Sequence, residues 1–82
     1  MSEKDVKINF KLSADFNKYV LHNPDVVKGL SSDSCIVFAE PKNPSLTQKN
    51  LKLADKIMKE ERKKCYQAFK TKGVWEVKPL PA

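Results

Sequence analysis

The one histidine, His22, and the two cysteines, Cys35 and Cys65, are the residues here with the chemistry for nucleophilic catalysis or metal binding. His22 stands beside Asn23-Pro24 at a predicted helix end, where an imidazole caps carbonyls or faces solvent. A Cys–His nucleophile would need one of the thiols within hydrogen-bond reach of that ring. A zinc site would need a CxxC or a second histidine, and the chain has neither. Cys35 and Cys65 sit among apolar or strand-like residues, where a free thiol behaves as a small hydrophobe; a disulfide between them is the alternative. With only Gly29 and Gly73, no glycine-rich phosphate loop can form. Glu60 and Glu61 diverge by about 100° on a helix and make no carboxylate pair. The residues therefore predict no enzyme, with no catalytic, metal-binding or cofactor-binding set.

Charge is the more informative signal. The 82 residues carry a net charge of +6. Residues 1–45 balance six lysines against six acids, and residues 73–82 balance Lys78 against Glu76. All of the excess lies in residues 46–72, where nine basic residues face Asp55, Glu60 and Glu61. At helical spacing Lys49, Lys52, Lys56, Lys59 and Lys63 form one stripe, fit to meet a phosphate backbone or simply to stay solvated. Lysine in place of arginine argues for the solvated face, since the arginine fork suits specific recognition.

The elements that would position these groups follow from periodicity. Ile8, Leu12, Phe16, Tyr19 and Val20 recur at helical steps and predict a helix over about residues 9–22. The competing pattern, Val6, Ile8, Phe10 and Leu12 alternating with polar residues, would make residues 6–12 a strand. Residues 1–7 read as a flexible tail. Asn23-Pro24 ends the helix and can cap a short turn to about Lys28, stopped by Gly29. Ser31 to Ser34 is a polar loop. Cys35 to Ala39 is apolar throughout, as in a strand covered on both faces. Asn43-Pro44 opens the main helix, with Ser45 and Gln48 as an alternative capping box. Leu51, Ala54, Ile57 and Met58 form its apolar face.

Helical spacing could carry this helix to Gly73, or it could stop near Arg62. A helix running to Gly73 would be about 44 Å long, too long to return a strand beside a first strand of about 17 Å. The shorter version, about 28 Å, leaves 64–70 and 74–78 as strands around a Thr71-Lys72-Gly73 turn. The predicted fold is α+β: an N-terminal helix, a strand-helix-strand crossover and a C-terminal hairpin. Together they give a three-stranded mixed sheet with helices on one face. Residues 8–79 form the single domain, and residues 80–82 a C-terminal tail.

Leu12-Ser13-Ala14-Asp15-Phe16-Asn17-Lys18-Tyr19-Val20-Leu21-His22-Asn23-Pro24, then Ile36-Val37-Phe38, Asn43-Pro44-Ser45-Leu46 and Asn50-Leu51-Lys52-Leu53-Ala54, resemble a family of small prokaryotic proteins. That family is a domain of unknown function. The resemblance covers about residues 9–78 and implies a proline-started helix followed by a final strand pair, with the helix ending near residue 62. After Ala54 the chain departs from it, with lysine where acidic surface is expected. The resemblance implies no activity, and no functional residue is transferred.

Two functional expectations remain. In a chain this short the core is thin, and self-association is a common stabiliser. Both alternating sets in the last two strands contain large apolar groups. Tyr66, Phe69 and Trp75 are thus candidates for a sheet face covered by a second copy, making a homodimer. The alternative is a nucleic-acid-binding module using the lysine stripe, with Trp75 or Tyr66 stacking on bases. The charged N-terminus, with no long apolar run after it, predicts a cytoplasmic protein that does not enter the membrane.

Overall fold

The computed structural model describes residues 1–81. The first helix, α1, runs Glu3–His22 and starts about six residues earlier than periodicity predicts. Residues 1–7 are therefore not a tail. The Ser2 hydroxyl accepts from the Asp5 N–H at 3.1 Å, and Glu3 and Asp5 lie at the positive end of the helix dipole. These capping signals override the alternation at 6–12, and the strand alternative for that stretch fails. Asn23 ends α1 in both of its polar groups: its amide Nδ2 donates to the Tyr19 carbonyl, and its backbone N–H to that of Val20. A 3-10 turn, Pro24–Val27, follows.

Strand β1 is Cys35–Phe38, helix α2 is Pro44–Glu61, and strands β2 and β3 are Cys65–Thr71 and Val74–Pro79. Asn43 caps α2 by accepting from the Leu46 N–H at 3.1 Å. Arg62 ends it in the left-handed region at φ 54°. The short version of the main helix is the observed one. Strand order is β1-β2-β3, with β1 parallel to β2 and β2 antiparallel to β3. Lys72 and Gly73, at φ 51° and 81°, make the two-residue turn that joins the hairpin.

The α+β fold with a three-stranded mixed sheet stands, but the helices do not share one face. Ile36, Phe38, Ala68, Trp75 and Val77 alternate onto one side of the sheet, where Leu12, Phe16, Tyr19 and Val20 of α1 pack with Val26 and Val27. Cys35, Val37 and Cys65 point to the other side, against Ala54, Ile57 and Met58 of α2. The physical reason lies in β1, whose run is apolar on both faces and needs a cover on each. Phe16, Phe38 and Trp75 meet edge to face, with ring centroids 5.2–5.9 Å apart. Leu80 packs into the α2-side core and donates its N–H to the Cys65 carbonyl at 2.9 Å. The predicted tail at 80–82 is therefore anchored at its first residue, and Ala82 lies outside the described residues.

Candidate functional site

The two sheet edges are protected differently. Edge strand β3 carries Glu76, Lys78 and Pro79, the residue types that discourage further strand pairing. Edge strand β1 carries Cys35, Ile36, Val37 and Phe38, with no charge and no proline. Its Cys35 N–H bonds the Lys64 carbonyl and, four residues on in the same alternation, the Ala39 N–H bonds that of Ala68, each at 2.9 Å. By alternation the backbone groups of Ile36 and Phe38 face away from β2. Asn50 Nδ2 reaches the Phe38 carbonyl at 2.9 Å.

Helices α1 and α2 flank this edge from opposite faces and touch beside it through Asn9 and Asn50. Between them lies a groove of about 350 Å³ lined mainly by Val6, Phe10, Ile36, Phe38 and Leu53, with the two asparagines. The groove rim is apolar and exposed: Val6 is 55%, Phe10 74% and Leu53 45% accessible. Farther along α1, Leu21 is 81% accessible. On the helix, Val6, Phe10, Ser13, Ala14, Asn17 and Leu21 fall within an arc of about 100°. Lys7, Lys11, Asp15 and Lys18 fall outside it. Residue-type reading missed this second stripe because Val6 and Phe10 were absorbed into the strand alternation. A search for a second apolar stripe at helical spacing would have found it.

The lysine stripe is less uniform than its spacing. Lys49 pairs with Asp5 at 2.8 Å, Lys59 with Asp55 at 3.0 Å and Lys63 with Glu61 at 3.6 Å. Lys63 also lies beyond the helix, after the Arg62 break, so the helix carries four of the five lysines. Lys52 and Lys56 are the exposed members outside these pairs.

Of the aromatic interface candidates, Trp75 is corrected to a core residue. It is 2% accessible, and its indole N–H donates to Asp15 at 3.0 Å. Its strand position turns it toward α1, which covers it. Phe69 faces the α2 side but beyond the reach of the core there, with the Lys78 ammonium 5.3 Å from its ring centre. Tyr66 is half-buried beside Pro79 and Leu80.

The chemical groups are kept apart. His22 lines a polar cleft of about 230 Å³ at the hairpin end with Asp15, Tyr19 and Lys70. Cys35 and Cys65 lie on the opposite face, as register partners in β1 and β2. Both thiols are free. Burial and the neighbouring Cys65 thiol push the Cys35 thiol up to about 12. The Lys70 ammonium, 2.9 Å away, and the Trp75 indole hold the Asp15 carboxyl below its ordinary range. Among the described residues, no group of three or more His, Cys, Asp or Glu side chains is placed to hold a metal ion. Among the same residues, no helix is long and apolar enough to cross a membrane.

The model of a family described as a family of unknown function (DUF5647) matches residues 5–78. No curated protein and no solved structure matches the chain.

Proposed function

Since the chain belongs to the DUF5647 family, a family of unknown function, we propose from its own geometry that it is a non-enzymatic interaction module that self-associates. The observation that carries this reading is the exposed side of α1, uncharged from Val6 to Leu21, together with the open edge of β1. In a chain that is 32% charged residues, Val6, Phe10 and Leu53 stand exposed beside an edge strand without protecting charges, and Leu21 stands exposed farther along α1. A surface that met nucleic acid would instead carry the excess charge, which lies on the segment containing α2. Nucleic-acid binding through that segment is the weaker reading, because three of its five stripe lysines are matched by carboxylates. Two free thiols suit a reducing compartment, and we place the protein in the cytoplasm.

Sedimentation velocity from about 10 μM to about 1 mM tests the reading, since weak interfaces of this size give dissociation constants in the micromolar range or above. A weight-average mass that rises with concentration supports self-association. A mass fixed at that of the 9.4 kDa chain across the range overturns it.

A further inference from the structure

Resting on that reading, we infer that the second copy binds through α1 itself, the two α1 helices packing antiparallel about a two-fold axis at Ser13–Ala14. The pattern of the exposed stripe points there. In an antiparallel pair with its axis between residues 13 and 14, Val6 faces Leu21 of the second copy and Phe10 faces Asn17. Ser13 faces Ala14, and each contact occurs twice, as an isologous interface requires. Large apolar groups thus stand at both ends and small side chains at the centre, where the helices come closest.

Charge selects the occupant. A copy carrying the same +6 meets the least repulsion across a surface without charge. The stripe between Val6 and Leu21 has none, while Lys7, Lys11 and Lys18 flank it. A partner chosen by opposite charge would find its sites on α2. The antiparallel arrangement also sets the positive end of each helix dipole beside the negative end of the other.

Area agrees with a weak dimer. Val6, Phe10 and Leu21 together expose on the order of 400 Å² per copy, so a pair buries roughly 800 Å² from these residues alone. Leu53 and the small residues raise the total to about 1,000 Å², at the lower limit for a specific interface. The apolar groove beside β1 lies next to the seam, and the second copy would shield it and the open strand edge from water.

The experiment is sedimentation equilibrium on the full chain and three variants. Ala14→Lys places two like charges at the axis and Phe10→Lys removes the largest contact; both positions are exposed, so the fold is retained, as circular dichroism would confirm. Each is expected to weaken dimerisation at least tenfold, while Val74→Lys, exposed on the hairpin away from α1, leaves it unchanged. A second measurement uses Ala14→Cys with oxidised glutathione. Thiol–disulfide exchange forms the Cys–Cys bond and releases two glutathione thiols. Cross-linked dimer is expected for Ala14→Cys and not for Lys11→Cys, on the flank of the stripe. If the chain dimerises but Ala14→Lys has no effect and Ala14→Cys does not cross-link, the α1 pairing is overturned and self-association stands through another face. If the chain stays monomeric at about 1 mM, both fall.

Discussion

Asn9 of α1 and Asn50 of α2, forty-one residues apart, exchange two side-chain hydrogen bonds of 3.0 and 2.9 Å at the edge of β1. Each amide donates through Nδ2 and accepts through Oδ1. Asn50, 3% accessible, spends its other donor on the Phe38 carbonyl. The pair joins two helices that lie on opposite faces of the sheet and supplies a partner to a strand carbonyl that no neighbouring strand can reach.

Replacing Asn50 by alanine removes a buried side chain and leaves that carbonyl and the Asn9 amide without their partner. A loss of about 2–3 kcal/mol is expected, read as a lower urea midpoint with unchanged slope. Asn9→Ala, at the half-buried end, should cost about 1 kcal/mol, and the double variant less than the two losses combined. Additive losses would show that the two amides do not act as a unit.

Acid should weaken the fold through Asp15 and Asp5. Lys70 and then Trp75 lower the first carboxyl, and Lys49 is the largest cause lowering the second. A carboxyl whose folded value lies below its unfolded value of about 3.9 stabilises fully above that value and loses the contribution as pH falls through the folded one. The urea midpoint is therefore expected to be flat above about pH 5 and to fall below about pH 4. Asp15→Asn keeps an acceptor for the Trp75 indole but removes the titration, and its curve should fall less steeply. An identical pH profile in that variant would remove Asp15 from the account.

The hairpin turn holds a correctable strain. Lys72 sits at φ 51°, in the left-handed region, where asparagine is better tolerated. Lys72→Asn should stabilise the protein by about 0.5–1 kcal/mol and raise the melting temperature by roughly 3–6 °C in a domain of this size. Arg62→Gly, at φ 54° after α2, should act in the same direction. Lys72 or Arg62 could only be preferred if its side chain made a contact the turn needs, and then the melting temperature would drop.

The Cys35 thiol should be inert near neutral pH despite its partial exposure. With its value pushed up to about 12 by burial and Cys65, only about 10⁻⁴ of it is thiolate at pH 8. Alkylation by iodoacetamide should run roughly 10³-fold slower than for an ordinary cysteine and quicken about tenfold per pH unit. Labelling at the rate of a free peptide thiol would show that β1 opens readily.

Local chemistry made much of the architecture readable in advance. Asn43-Pro44 announced α2, the apolar run Cys35 to Ala39 announced a strand covered on both sides, and Lys72-Gly73 announced the hairpin. The length of β1 favoured the shorter main helix over one reaching Gly73, since a returning strand must start within reach of the first. The N-terminus was misjudged because a cap at Ser2 is one hydroxyl in a charged segment, and its worth depends on the helix that follows.

Apart from the start of α1, sequence alone determined the secondary elements, their order and the uneven placement of charge, because these depend on neighbours within a few positions. Tertiary structure alone decided that α1 and α2 cover opposite faces, that Trp75 is buried, and that Lys49 of the stripe meets Asp5 of α1. It also decided which edge of the sheet lies open beside uncharged Val6, Phe10 and Leu53. Those outcomes depend on which distant segments pack together. A side chain's spacing says which way it points on its own element, but not what the rest of the chain places in front of it.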